Sequence, residues 1–166
     1  SGLDLATLTS TTFARGNGGY DGPSDEAPRP HKVPEREPDF AVDLTTLDMA
    51  ALIYRLSGDY NPLHASPSVA RAAGFPKPIL HGLCSLGVAG HAILKGCCDY
   101  DAKRLKSLQL RFSSPVYPGE TMRTEIWRDG ANISFKSKIV ERDVVVLDNG
   151  HALSLIHISE PTRPSR

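Results

Sequence analysis

The sequence lacks three features that mark common classes of protein: an excess of charge, a long apolar run and a cysteine framework. Lysine and arginine together number 19, as do aspartate and glutamate, so the formal net charge of the 166 residues is zero. That balance argues against nucleic-acid binding and against a polybasic membrane anchor. No run approaches the roughly 20 apolar residues that span a bilayer. The three cysteines, Cys84, Cys97 and Cys98, are too few and too clustered for a disulfide framework, which favours a reducing compartment.

Motifs for nucleotide binding, zinc binding and secretion are also missing. The sequence contains neither a G-x-G-x-x-G fingerprint nor a P-loop, so nucleotide-fold chemistry is not indicated. Cys97 and Cys98 are adjacent, which is not the spacing of zinc ligands. Residues 1–12 have neither the basic nor the apolar region of a secretory signal.

The length of the chain favours a single domain. Its composition divides it into four parts, of which one is that domain. Residues 1–22 begin with a β-branched stretch, and since a lone strand is unstable in water we expect a remnant of a preceding unit. Residues 23–38 are rich in proline and charge, which predicts a linker. Residues 39–153 carry regular patterns and form the predicted domain. Residues 154–166 resemble translated adapter read-through, and no function is assigned to them.

The patterned region predicts an α+β fold. It begins with a strand over 40–46, a helix over 47–56 with Thr46 as its N-cap, and a short helix over 68–73 that ends at Gly74. A long apolar helix is predicted over 78–98 and four strands over 105–113, 121–128, 133–141 and 144–153. An antiparallel sheet that curls around one long central helix satisfies both patterns.

Asp59 and His64 are the residues that most suggest chemistry. They lie five positions apart in a loop that Gly58 and Pro62 bend, so both side chains can converge on one water. A carboxylate and an imidazole that share a water make an acid–base pair, and Asn61 between them can orient either group or the water. The alternative is structural, because Asp in such a loop often forms an Asx turn and a lone His is more often a structural group.

Three ordered segments carry a family resemblance: YRLSGDYNPLH over 54–64, FPKPILHGLC over 75–84 and FSSPVYPGE over 112–120. They resemble the signature of the R-specific enoyl-CoA hydratases, the hydratase 2 or MaoC-like family with a hot-dog fold. The resemblance covers about residues 39–153. Eukaryotic-type members carry two hot-dog halves in one chain. The resemblance therefore implies one half of a double hot dog, which pairs as a homodimer or with a missing half.

Gly82 opens the long helix, where unpaired N–H groups carry partial positive charge. The resemblance implies that its N–H polarises the thioester carbonyl, as an oxyanion donor does. The alternative is that Gly82 and Gly87 only allow tight packing of the helix on the sheet. The resemblance also places four residues along the acyl-thioester groove, although Phe112 is equally a core strand residue. They are Tyr60, Pro62, Leu63 and Phe112.

The resemblance implies the hydration of trans-2-enoyl-CoA to (3R)-3-hydroxyacyl-CoA in fatty-acid β-oxidation. Asp59 and His64 at the matching positions would activate the water and deliver the proton. No metal or organic cofactor is required, because the CoA thioester is itself the substrate. Two alternatives stay open: an acyl-CoA thioesterase on the same fold, and an inactive fragment or interaction domain. The resemblance implies a peroxisomal location. The C-terminal residues 164–166 are not a Ser-Lys-Leu type signal, so the cytoplasm stays open as the alternative.

Overall fold

The secondary structure follows from a computed structural model, which describes residues 2–12, 16–20 and 29–155. The first half contains β1 (Phe40–Thr45), α1 (Ala50–Tyr54), α2 (Pro67–Ala72) and α3 (Gly82–Cys97). The second half contains β2 (Leu105–Phe112), β3 (Thr121–Asp129), β4 (Asn132–Ile139) and β5 (Val144–Ser154). Short 3₁₀ turns cover Arg55–Ser57, Pro62–His64 and Ala102–Arg104. Among these described residues no helix has the length and apolar character needed to cross a membrane.

The five strands form one antiparallel sheet in the order β1-β3-β4-β5-β2. Alternation sets the two faces of the sheet, because successive side chains of a strand point to opposite sides. Along β3 and β4 the inward residues Met122, Ile126, Ile133 and Phe135 are fully buried. Within the described part of the chain, β2 pairs with β5 alone and leaves its other side as a sheet edge.

Helix α3 packs on the inward face of the sheet and completes the core. Ala89, Ala92 and Ile93 are fully buried there. Small residues allow a close approach, since a Cβ added at Gly90 would lie 3.3 Å from a methyl group of Leu108 on β2. Full burial of one side chain such as Ile93 contributes about 1.5–3 kcal/mol to stability. The predicted antiparallel sheet around one long helix is confirmed.

The long helix begins four residues later than the sequence predicts. Residues 78–81 form neither helix nor strand and α3 starts at Gly82, although 78–98 is a nearly all-apolar run. The cause is a tertiary contact, because the backbone N–H of Leu80 donates to the carbonyl of Val116 at 2.7 Å. That bond holds the segment against the neighbouring loop, and it places the helix terminus at Gly82.

The first predicted helix is shorter, and its predicted N-cap is wrong. Helix α1 spans only Ala50–Tyr54 before a 3₁₀ turn, and its N-cap is Met49, without a side-chain cap. The Thr46 hydroxyl instead donates to the Glu120 carbonyl and accepts from the Gly119 N–H, each at 3.0 Å. Thr46 therefore joins two loops that are distant in sequence.

The N-terminal segments form neither helix nor strand. Residues 2–12 and 16–20 are exposed, so the strand expected near the N-terminus is absent over 2–12, while residues 13–15 lie outside the described part. Residues 29–38 are also irregular but are tied to the sheet. The Trp127 indole donates to the Arg36 carbonyl at 2.8 Å, and Asn149 donates to the His31 carbonyl at 2.7 Å. The assignments of 1–22, 23–38 and 154–166 stay predictions, with residues 21–28 and 156–166 outside the described part.

Candidate active site

The loop that carries Asp59 and His64 is shaped by its own short-range bonds. Gly58 has φ +111°, a left-handed conformation that favours glycine. The Asn61 N–H donates to the Asp59 carboxylate at 3.2 Å, and the Leu63 N–H donates to the Asn61 side-chain oxygen at 3.0 Å. Asn61 thereby caps the 3₁₀ turn Pro62–His64. Asp59 and Asn61 thus have the structural role that the Asx-turn alternative describes, while the exposed Asp59 carboxylate also faces a cleft.

His64 is buried at the end of this loop, with 9% of its surface exposed. Its Nδ1 lies 2.8 Å from the Ile79 carbonyl oxygen. Since a carbonyl oxygen only accepts hydrogen bonds, Nδ1 is the nitrogen that carries the proton in this contact. The neutral ring then has its lone pair on Nε2, which suits that nitrogen to accept a proton.

A second imidazole, His81, lies flat against the first. The ring centroids of His64 and His81 are 3.7 Å apart with an interplanar angle of 24°. His81 Nε2 lies 3.2 Å from the backbone carbonyl oxygen of Asp59, so it is the protonated nitrogen of this ring. Burial lowers the pKa of His81 below its ordinary value, and the nearby His64 adds to this effect against the opposing hydrogen bond to Asp59. His81 is therefore neutral at physiological pH.

The three side chains are close enough for a cation to be considered. One ligand atom from each of Asp59, His64 and His81 lies within 4.8 Å of the others. Each ring directs one nitrogen at a backbone carbonyl, a contact that metal-bound histidines also make, so this contact does not decide between an ion and a water. The same three ligand atoms are also close enough to share one water.

The start of α3 forms the opposite wall of a cleft of about 370 Å³. No described side chain caps this helix terminus, so the N–H of Gly82 and the positive end of the helix dipole are available there. A Cβ added at Gly82 would lie 3.3 Å from the Phe112 ring. The cleft is lined by Tyr54, Ser57, Gly58, Asp59, His81, Gly82, Leu83 and Phe112.

The structure brings some predicted site residues together and leaves others apart. Asp59, Gly82 and Phe112 line the cleft, and Phe112 is 50% exposed, so it lies in the cleft wall and outside the buried core. His64 is not among the lining residues, but its ring packs on that of His81 and one of its ligand atoms lies within 4.8 Å of Asp59. Tyr60 is exposed and its ring faces Arg55, with 5.7 Å between the guanidinium carbon and the ring centroid. The lining also omits Asn61, Pro62 and Leu63. The groove role of Tyr60, Pro62 and Leu63 stays a prediction.

Sequence reasoning missed four residues of the site: Tyr54, Ser57, Leu83 and the ring of His81. Tyr54 and Ser57 lie on the helix and 3₁₀ turn before the Asp59 loop, and the Tyr54 ring centroid is 4.7 Å from that of His81. The available signals were the position of Tyr54 at the start of the motif and the adjacency of His81 to Gly82. Neither signal shows that the His81 ring packs on His64.

Comparison with known proteins gives concordant results. A family profile described as "MaoC like domain" matches residues 30–150. The peroxisomal multifunctional enzyme type 2 of Mus musculus is 45% identical over 155 residues, which cover 91% of this chain and 21% of the mouse protein. The peroxisomal enoyl-CoA hydratase 2 of Arabidopsis thaliana is 42% identical over 156 residues, which cover 89% of this chain and 50% of the plant protein. The chain thus spans half or less of the length of these relatives.

A solved structure agrees with these matches. The crystal structure of a MaoC-like dehydratase from Phytophthora capsici superimposes with a TM-score of 0.81 at 44% identity, and it covers 85% of this chain and 50% of that chain. The match confirms the predicted hot-dog fold, and the resemblance that the three motifs carry is also confirmed. With the family profile over most of its length and this structural match, the chain belongs to the MaoC-like domain family.

Proposed function

We propose that the chain hydrates trans-2-enoyl-CoA to (3R)-3-hydroxyacyl-CoA in fatty-acid β-oxidation. The observation that carries the proposal is one cluster at the N-terminus of α3, where ligand atoms of Asp59, His64 and His81 lie within 4.8 Å of one another and Asp59 faces Gly82 across the cleft. The printed names of the mouse and Arabidopsis relatives, a multifunctional enzyme and an enoyl-CoA hydratase, support the same reaction class.

The helix terminus activates the substrate. The β-carbon of an enoyl thioester is electrophilic only when its carbonyl is polarised. The Gly82 N–H lies at the uncapped, positive end of α3, and in this proposal it donates to the carbonyl oxygen as negative charge develops there. The missing side chain lets the thioester approach the backbone closely.

The acid–base pair acts on the water. Two hydrogen bonds of about 2.8 Å allow one water to contact both Asp59 and His64 when their atoms are about 5 Å apart. One of the two groups accepts a proton from the water while the oxygen bonds to the β-carbon and the double-bond electrons move toward the carbonyl. The α-carbon then takes a proton from the pair, so one water is added and both groups return to their starting states.

We propose that no metal or organic cofactor takes part, because the Asp59–His64 pair can activate the water and the Gly82 N–H can polarise the thioester. The CoA thioester is the only substrate besides water. A thioesterase would direct the water at the carbonyl carbon and would use the same backbone donor, so hydration is favoured by the printed name of the Arabidopsis relative, an enoyl-CoA hydratase.

The test is turnover of a medium-chain trans-2-enoyl-CoA, followed by loss of the enoyl absorbance and by chiral analysis of the product. Asp59→Asn should lower kcat by about 10²–10⁴-fold, the usual contribution of an acid–base group. Asp129→Asn, an exposed aspartate at the end of β3, is the matched control and should leave the rate unchanged. A 3S product, or release of the CoA thiol without hydration, would contradict the proposal.

We propose further that the unit works as a pair of hot-dog units, either as a homodimer or with a second unit. The sheet edge at β2 is open within the described residues, and several exposed apolar residues lie near the cleft. They are Leu52, Ile53, Leu56, Tyr60 and Leu83. Sedimentation velocity should show self-association that increases with concentration. One monomeric species at every concentration would contradict the homodimer.

A peroxisomal location is proposed on the names of the relatives, two of which are described as peroxisomal. Imaging of the full natural protein with a fluorescent tag tests it. Diffuse cytoplasmic signal would contradict the proposal and favour the cytoplasmic alternative.

A further inference from the structure

His81 is the most deeply buried titratable side chain at the site, and the reaction as described gives it no role. Only 1% of its surface is exposed. Its ring lies between the rings of Tyr54 and His64, with centroid distances of 4.7 and 3.7 Å. A buried imidazole in this position needs a reason, because burial of a polar ring without full hydrogen bonding is costly.

The bonds of His81 join three parts of the site that are far apart in sequence. Its Nε2–H donates to the carbonyl oxygen of Asp59, 22 positions earlier in the chain. Its own carbonyl accepts from the N–H and the hydroxyl of Ser85, at 3.1 and 3.3 Å, in the first turn of α3. His81 is thus bonded to the first turn of α3, and it also holds the loop that carries the Asp59 carboxylate.

The protonation state of His81 suits this role. Its Nδ1 is buried and has no hydrogen-bond partner among the described residues, so a second proton there would gain no acceptor. The titratable or charged groups around the ring are Tyr54, Arg55, Asp59 and His64. Burial lowers the pKa of His81, and the proximity of His64 and Arg55 acts in the same direction against the hydrogen bond to Asp59. A ring that stays neutral can lie against His64 while His64 gains and loses the catalytic proton.

We propose that His81 is a positioning residue for the acid–base pair: one neutral imidazole holds the backbone of Asp59 by a hydrogen bond and the ring of His64 by stacking, and anchors both to the start of α3. It does not exchange protons with the substrate. This inference rests on the proposed hydratase function for its kinetic consequence, but the geometry that it describes is independent of that function.

The kinetic test compares three substitutions in the whole chain. His81→Gln keeps a donor near the position of Nε2, whereas His81→Phe keeps a flat ring without a donor, and His81→Ala removes both. We expect kcat to fall about 10²-fold in His81→Ala, because a misplacement of about 1 Å costs that much, with KM changed less than about twofold. His81→Gln should retain about tenfold more activity than His81→Phe, since it preserves the hydrogen bond. His91→Ala, an exposed histidine on the same helix, is the matched control.

A second measurement does not depend on turnover. Ring nitrogen chemical shifts from NMR should show the wild-type proton on Nδ1 of His64 and on Nε2 of His81. In His81→Ala, or in His81→Phe if the alanine variant does not fold, the Asp59 loop should move and its amide signals should shift, whereas His81→Gln should preserve them. The inference is overturned if His81→Phe keeps both the loop signals and wild-type kcat, because the ring would then only fill space. Absence of hydration by the wild-type chain would count against the proposed function and would leave the NMR result to decide on His81.

Discussion

Substitution of Gly82 by alanine separates the proposed oxyanion donor from a merely structural glycine. The methyl group of Gly82→Ala would lie 3.3, 3.5 and 3.6 Å from three carbon atoms of the Phe112 ring. Carbon atoms pack best at about 3.5–4.0 Å, so only the shortest contact is tight. Because Phe112 is half-exposed, its ring can turn away without opening a cavity in the core.

The expected effects on stability and on activity therefore differ. Alanine is favoured over glycine inside a helix by up to about 1 kcal/mol, which offsets the tight contact with Phe112. We expect the free energy of unfolding to change by less than about 1 kcal/mol. The same methyl group, however, occupies the approach to the Gly82 N–H. Loss of one oxyanion donor costs about 10²–10³ in kcat, or about 2.7–4 kcal/mol, and we expect kcat/KM to fall by about 10².

The assay pairs hydration kinetics with thermal unfolding of the same preparations. Gly87→Ala is the control on the same helix, because a Cβ at Gly87 would have no atom within 4 Å. It should keep kcat/KM within about twofold of wild type while gaining helix propensity. If Gly82→Ala folds with unchanged Tm and also hydrates at the wild-type rate, then the added methyl group obstructs no substrate atom, and the close approach of the thioester to Gly82 is refuted.

Three further results are expected. Asn61→Ala removes the acceptor for the Leu63 N–H and should lower the free energy of unfolding by about 1 kcal/mol in urea titration, as loss of a helix cap does; an unchanged midpoint would show that the cap contributes nothing. Burial, with a smaller effect from His151, lowers the pKa of His31, so the folded state favours the neutral ring. The neutral His31 ring therefore contributes to stability above pH 6.5, the ordinary pKa of histidine. This contribution is lost as the pH falls through 6.5 and then through the lowered pKa of His31. His31→Gln should therefore reduce the acid destabilisation seen by urea unfolding, and an identical pH dependence would contradict this. Burial raises the pKa of Cys97 to about 11 and also raises that of Cys84, so thiol reagents at about pH 8 should react with these cysteines slowly in the native chain and rapidly after unfolding.

Strands β3 and β4 were predictable because their residues alternate between the buried and the outer face of the sheet. In β4 the residues alternate between the core and the outer face, with Ile133 and Phe135 buried and Lys136 turned outward to an ion pair with Glu125. A period of two is visible in sequence and needs no knowledge of the partner strand. The helix boundaries were less predictable, because a contact outside the helix decides them. The hydrogen bond from the Leu80 N–H to the Val116 carbonyl keeps the start of the apolar run out of the helix. No local sequence pattern indicates this bond.

Residues of the candidate site that are close in sequence could be predicted, whereas contacts between residues distant in sequence could not. Asp59, Asn61 and His64 could be proposed because their spacing and types are compact in sequence, and the bonds from Asn61 to Asp59 and from Leu63 to Asn61 span only two positions. The role of His81 depends on a meeting between loop and helix 22 positions apart, and the apolar context of 78–98 suggested a helix interior at that point. Phe112 was ambiguous for a similar reason, since the end of a strand can face either the core or a cleft.

Short-range and long-range contacts have different roles at the site. The short-range bonds of Asp59 and Asn61 shape the loop, but they do not fix where the loop lies relative to Gly82. That position depends on two imidazoles that each donate to a backbone carbonyl, His64 to Ile79 and His81 to Asp59. Substitution of a side chain cannot remove a backbone acceptor, so each of these bonds is lost only when its histidine donor is replaced. A change at His81 should therefore alter catalysis while the sheet and α3 remain intact, whereas a change at Asn61 should act first on the stability of the loop.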